Sequence, residues 1–237
     1  SIRRRQRQMC IRDSGLIVKE YDKDFNAVVN RSRNVAAGMS KGVEFLMKKN
    51  KIDILSGHGK ILSGKKVSVT LNDKTQEYSA SNIIIATGAR SRELPSLPQD
   101  GNKVIGYREA MTLPNQPKKI VVVGSGAIGI EFAYFYNAMG TEVTIIEFQD
   151  RIVPVEDEEI SKQLERSFKK SGINILTNAE VTKVNTKGKG VTVTIKTAKG
   201  EEEIKTDIVL SAVGIKTNIE NLGLEDVGIV IDRDKVC

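Results

Sequence analysis

Residues 124–129, Gly-Ser-Gly-Ala-Ile-Gly, carry the clearest chemical pattern in this 237-residue chain. They follow the apolar run IVVVG at 120–124 and open a helical stretch that Gly140 closes. An acid, Glu147, ends the next apolar run, TEVTIIE at 141–147. GxGxxG alone is permissive. A strand before it, a helix behind it and an acid 23 positions after Gly124 make it specific for a dinucleotide. Gly124 permits the tight turn, Gly126 lets backbone approach a pyrophosphate with no Cβ between them, and Gly129 lets the helix pack closely on the sheet. The start of that helix, with Ser125, Ala127, Ile128 and Ile130, offers unpaired N–H groups and the positive end of a dipole to phosphate. Glu147 would accept hydrogen bonds from the adenosine ribose. A carboxylate there repels a 2′-phosphate, and Phe148-Gln149 supplies no Arg to bind one, so NAD is expected rather than NADP. The bland alternative is a glycine-rich turn with no ligand.

A quieter signal is IIIATGAR at 83–90, a run ending in Ala-Thr-Gly. It reads equally as a ligand-binding strand end and as a plain strand terminus. SAVGIK at 211–216 repeats it, which points to two nucleotide-binding lobes. Other reactive side chains are few. His58, the one histidine, lies between Gly57 and Gly59 with no acid or Cys beside it and reads as a loop residue. Cys10 and Cys237 are the two cysteines, far apart in sequence, and form no CxxC pair, disulfide framework or metal cluster. A reducing cytoplasm is therefore the expected compartment, and no metal is expected.

The elements that must position these residues follow from periodicity. Apolar residues from Phe25 to Met47 recur at spacings of three and four, which predicts a helix from about Asp24 to Asn50. IDIL at 52–55, KIL at 60–62, VSVTL at 67–71 and NIIIAT at 82–87 read as a small meander ending in a buried strand. Residues 88–118 hold four of the five prolines and read as a crossing linker with a helical turn near Arg108–Thr112. Beyond Lys119, strand, helix, strand, helix (157–171, with Ile160, Leu164 and Phe168 on one face) and strand alternate. EVTKVNT, VTVTIKT and EEEIK then alternate polar and apolar as an antiparallel meander, and DIVLSAVG returns as a buried strand. This is a doubly wound α/β domain of Rossmann type with a β-meander insertion.

Composition sets the outer bounds. With 39% hydrophobic and 28% charged residues the chain is an ordinary globular sequence, and no stretch approaches the ~18 consecutive apolar residues of a membrane helix. The net charge of +7 suggests nucleic acid, but residues 1–14 (SIRRRQRQMCIRDS) carry +4 of it, and no aromatic residue interleaves those arginines. They read as an extraneous or solvated tail, similar to translated adapter sequence. Neither a nucleic-acid nor a membrane partner is expected.

Taken in order, GVEFLMKK, GHGKI, IIIATGAR, KKIVVVGSGAIGIEFAYFYNAMGTEVTIIE, DRIVPVEDEEISKQLERSFKKSGI and SAVGIKTNIENLGLE resemble the dihydrolipoamide dehydrogenases, a branch of the pyridine nucleotide-disulfide oxidoreductase family. The acidic DRIVPVEDEEIS segment favours this branch over glutathione and mercuric reductases. The resemblance implies a homodimeric flavoprotein that passes electrons from protein-bound dihydrolipoamide through a disulfide and FAD to NAD. Its partner would be the lipoyl domain of a 2-oxoacid dehydrogenase or glycine cleavage complex. It also implies residue roles. Glu131 would face nicotinamide and flavin, Val181 and Gly214 would contact NAD, and Gly59, Thr87, Gly88 and Ala89 would contact FAD. GIKTN at 214–218 departs from the family's Gly-Arg-x-Pro-Asn. By the same resemblance, residues 15–117 are part of an FAD-binding domain, 118–215 an NAD-binding domain and 216–237 the start of a returning FAD segment. The family's redox CxxxxC and His-Glu pair lie in none of these, so no catalytic residue is assigned in the chain. An inactive internal fragment is expected. The alternatives are another NAD(P)H-dependent flavoprotein disulfide reductase or NADH oxidase, and, from a different class, a non-catalytic NAD-binding module.

Overall fold

The computed structural model describes residues 22–236, so the Arg-rich tail lies outside the described residues. The chain divides into two compact units, one comprising Glu93–Gly214 with the segment up to Ser32, the other Arg33–Arg92 with Ile215 onward. The division falls within one helix, α1 (Phe25–Lys49), whose span matches the apolar periodicity.

The first unit is built on a five-stranded parallel sheet. Its strands are β5 (Val104–Ile105), β6 (Lys119–Val123), β7 (Glu142–Ile146), β8 (Asn174–Leu176) and β12 (Ile208–Ser211), in the order β5-β12-β6-β7-β8. The order turns around at β6. The chain leaves β6 toward β7 and β8 on one side, while β12 returns on the other, so the carboxyl ends of β6 and β12 flank a crevice. Continuous apolar runs suit such strands because both faces are covered. One face packs Ile120, Val122, Ile145 and Leu210 against Tyr136, Phe168 and Phe25. The other packs Val121, Val123 and Val209 against a three-stranded antiparallel meander, β9 (Glu180–Asn185), β10 (Val191–Thr197) and β11 (Gly200–Thr206), through Val191, Val193 and Ile195.

Helix α3 (Ala127–Met139) ends at Gly140, which takes φ +102° as its left-handed cap. Tyr136 is fully buried on α3 and donates its hydroxyl to the Ala110 carbonyl at 2.7 Å, and burial pushes its phenol well above the ordinary value. Helix α4 (Glu158–Lys170) starts on Asp157, whose carboxylate accepts the Glu159 and Ile160 amides. Its buried stripe is turned from the expected one. Phe168 is buried and Leu164 packs on the core, but Ile160 is 55% exposed, and the small Ser161 lies inside, donating to the Val153 carbonyl. A hydroxyl with a nearby carbonyl can replace an apolar side chain at a tight contact.

The compact unit takes in residues from Glu93 onward, where β5 hydrogen-bonds along β12 and Leu97 and Val104 are fully buried. The helical turn expected near Arg108–Thr112 is α2 (Tyr107–Ala110).

The second unit holds an antiparallel meander, β1 (His58–Leu62), β2 (Lys66–Leu71) and β3 (Lys74–Ser79), and the pair β4 (Ala89–Ser91) with β13 (Ile215–Thr217). Two expected strands do not form. IDIL at 52–55 and NIIIAT at 82–87 join no ladder among the described residues, and Ile84, read as buried, is 90% exposed. β-branched residues favour a pleated surface only where a neighbouring strand supplies it. Burial along Ile83, Ile84 and Ile85 still alternates, half-buried, exposed, half-buried, so the period-two pattern survives without the ladder.

Candidate dinucleotide-binding site

β6 delivers the chain to Gly124 at the floor of the crevice, and backbone geometry there demands glycine. Gly124 has φ +97°, and a Cβ on it would stand 2.4 Å from the Ala212 carbonyl oxygen at the end of β12. A Cβ on Gly129 would stand 2.0 Å from the Gly124 carbonyl oxygen and 3.3 Å from the Ala212 Cβ, so this glycine sets how closely α3 packs on the turn. Gly126 differs from both. Its φ of −66° suits any residue, and a Cβ on it would meet nothing within 4 Å. No contact within the chain requires glycine at 126; the open space in front of it suits a ligand that lies on the backbone.

Gly126 is also the N-cap of α3 and has no side chain with which to cap it. The first amide that closes the helical ladder is Ile130, donating to the Gly126 carbonyl at 3.0 Å. The amides of Ala127, Ile128 and Gly129 precede it, and helix geometry gives them no partner four residues back. With the dipole of a 13-residue helix behind them, they favour a phosphate.

Glu147, just past β7, is buried at 6% exposure and held by three donors. The Ser125 amide and hydroxyl donate to its Oε2 at 2.8 and 2.6 Å, and the Gln149 amide donates to Oε1 at 2.8 Å. The acid thus ties the glycine turn to the strand beside it, and the Ser125 amide is committed inside the protein. The loop after Glu147 closes back on the same turn, with the Val153 amide donating to the Ser125 carbonyl at 3.1 Å. Val153 takes φ +42°, a strained conformation for a β-branched residue, and is held by this bond and by two donors to its own carbonyl, Ser161 and Glu156.

These residues surround a cleft of about 430 Å³, within the usual size of a small-molecule site. It brings together Gly124, Ser125, Gly126, Glu147, Val181 and Gly214. Val181 reaches it from β9, where a bulge leaves Thr182 opposite no partner residue and shifts the register by one. Ala127, Ile128, Gly129, Ile130 and Glu131 lie on α3 and do not line the cleft; Glu131 is exposed. Among the wall residues that sequence reasoning did not assign are Leu94 from the proline-rich segment, Phe148, and Pro154-Val155. Phe148 and Val155 are 70% and 89% exposed; their place just beyond the motif acid was visible in the sequence, their exposure was not.

In the second unit Gly59 sits half-buried in β1, opposite Val69. Thr87, Gly88 and Ala89 lead into β4, where the Asn218 side chain donates to the Thr87 carbonyl and its amide to the Gly88 carbonyl. Arg90 anchors this junction by a two-point contact with Glu220 at 2.6 and 3.1 Å, and Lys216 joins at 3.0 Å. Hydrogen bonds from Arg90 and then Lys216 hold the Glu220 carboxyl well below the ordinary carboxylate range. A cleft of about 730 Å³ in this unit is lined by His58, Lys60 and Asn221 among others, and includes neither Gly59 nor residues 87–89. His58 Nε2 lies 3.3 Å from the Asn221 carbonyl. No group of three or more His, Cys, Asp or Glu residues suited to a metal occurs among the described residues. No helix among them is long and apolar enough to cross a membrane.

The chain is 43% identical over 239 aligned residues to a dihydrolipoyl dehydrogenase of Rhizobium etli, covering 94% of this chain and 50% of that protein. It is 41% identical to one of Zymomonas mobilis, covering 92% and 47%. It therefore spans about half the length of the curated relatives it matches. Among solved structures, LpdA from Mycobacterium tuberculosis superposes with a TM-score of 0.85 at 29% identity, over 97% of this chain and 50% of that one. The cofactors that go with such proteins are NAD(H) and FAD. The model of the pyridine nucleotide-disulphide oxidoreductases matches residues 7–236, and the chain belongs to that family.

Proposed function

We propose that the chain is the dinucleotide-handling middle of a dihydrolipoyl dehydrogenase, and that its own activity is to bind NAD(H). The observation that carries the reading is the combination at the end of β6: an uncapped helix start, a glycine at 126 that faces open space, and a buried carboxylate at 147. The amides of Ala127, Ile128 and Gly129 would hold the pyrophosphate, Glu147 the ribose, and Val181 and Gly214 the far wall. Glu131 would face the nicotinamide. Gly59 and Thr87 to Ala89 would contribute to an FAD site whose remaining parts these residues do not form. Bound together, the two cofactors supply the hydride and electron steps that link a dithiol to NAD. The parent enzyme would be a homodimer serving a lipoyl domain.

The chain's own side chains do not complete that chemistry. Cys10 and Cys237 form no CxxxxC pair, and the ring of the lone His58 meets the Asn221 carbonyl and no acid among the described residues. Titration of NADH fluorescence is expected to show saturable binding, weakened about tenfold or more in Glu147→Ala through loss of a charge-assisted bond. Dihydrolipoamide oxidation by the chain with added FAD and NAD is expected to be at background. Turnover in that assay, or NADPH binding as tight as that of NADH, would overturn the assignment. The closed core of the Glu93–Gly214 unit also favours a second reading, a binding module that does no chemistry. Weak NADH binding by an aggregation-prone chain that takes up no flavin favours the enzyme piece, and tight NADH binding by a well-folded monomer favours the module.

A further inference from the structure

Ser125 occupies the variable position between two glycines, where the motif asks for no particular side chain. In this chain it is fully buried and every polar group it has is engaged. Its amide and hydroxyl both reach Glu147 Oε2, and its carbonyl accepts the Val153 amide. A carboxylate oxygen accommodates about two donors. Oε2 is therefore filled from within the protein, whereas Oε1, with Gln149 alone, keeps room for one more. Without the hydroxyl the carboxylate would keep one donor on each oxygen and could rotate about its last bond between equivalent positions.

We propose that the Ser125 hydroxyl is a positioning residue for nucleotide selectivity, holding the Glu147 carboxylate in one orientation with Oε1 as the oxygen available to a ribose hydroxyl. Ser125 touches no nucleotide through this hydroxyl; it acts through Glu147. The orientation serves two ends. It presets the acceptor for the adenosine ribose, and it keeps a full negative charge fixed where a 2′-phosphate would have to sit. This inference rests on the assignment of the cleft to NAD.

The test is a double-substitution cycle on the full chain, with NADH and NADPH affinities measured by fluorescence titration. Ser125→Ala is expected to weaken NADH about fivefold and to bind NADPH no more weakly than before, so the preference for NADH falls by at least that factor. Ser125→Thr, which keeps the hydroxyl, is expected to retain the preference, measured well below its unfolding temperature. In a Glu147→Ala background, Ser125→Ala is expected to have no further effect. Equal weakening of both nucleotides, or an effect of Ser125→Ala that persists without Glu147, would overturn the proposal while leaving the NAD assignment standing. Failure of the unsubstituted chain to bind NADH would overturn both.

Discussion

Ile195 and Ile84 stand in similar β-branched runs, VTVTIKT and NIIIAT, and finish at opposite extremes. Ile195 lies in β10 at 0% exposure, packed against the parallel sheet; Ile84 is 90% exposed and in no ladder. The contrast extends to the units that contain them. Among the described residues, the buried apolar ones of the second unit are Leu222 and Leu224, and the rest lie in the Glu93–Gly214 unit or the start of α1. Conversely, Val35, Met39, Val43, Phe45 and Leu46 on α1 are each at least half exposed. One unit closes its core on both faces of a sheet. The other leaves a run of apolar side chains on α1 open to solvent. Equal hydrophobicity therefore teaches little about burial until the second surface is known.

The sharpest way to break this comparison lies within the closed unit, at two glycines three residues apart. Gly129→Ala forces a Cβ to 2.0 Å from backbone, and should cost about 3 kcal/mol or more of stability and abolish NADH binding. Gly126→Ala should leave the unfolding midpoint unchanged and weaken NADH by about tenfold, because its Cβ meets only open space. Denaturant unfolding beside fluorescence titration separates the two; a stability loss in Gly126→Ala would mean that the turn needs glycine for its own sake.

A smaller effect compares the two isoleucines directly. Ile195→Ala should destabilise by about 2–4 kcal/mol through the cavity it leaves, whereas Ile84→Ala should stay within about 0.5 kcal/mol. Comparable losses from the two would show that the 82–87 run is covered in solution.

The smallest effect tests the second unit's own anchor. Because the Glu220 carboxyl is held below the ordinary range by Arg90 and Lys216, its stabilisation is present above the unfolded value of about 4.3 and is lost as pH falls through the folded value. The gap in urea midpoint between the unsubstituted chain and Glu220→Gln should therefore persist at neutral pH and shrink below about pH 4. Side chains more than two-fifths exposed make it sensitive to salt, so 1 M NaCl should narrow it too. A gap that widens on acidification would contradict the charge network.

The glycine turn was legible because its cause is local. A sharp turn, a helix packed on it and an acid on the next strand each require a residue type at a fixed spacing, so Gly124, Gly129 and Glu147 could be named before any coordinates. The helix over 24–50 and the β6–α3–β7 succession were legible through periodicity for the same reason. What remained hidden depended on residues far apart in sequence. That Ser125 would fill one oxygen of Glu147, that a bulge would interrupt β9 beside Val181, and that Leu94 and Val104 would join this unit from a proline-rich stretch are outcomes of packing. The amino-acid sequence by itself determined which segments want to be strand, helix or phosphate-facing turn, since those preferences are short-ranged. Only the tertiary structure decided which apolar runs are covered and where a carboxylate's lone pairs point, because burial and hydrogen-bond saturation belong to pairs of surfaces and not to either one alone.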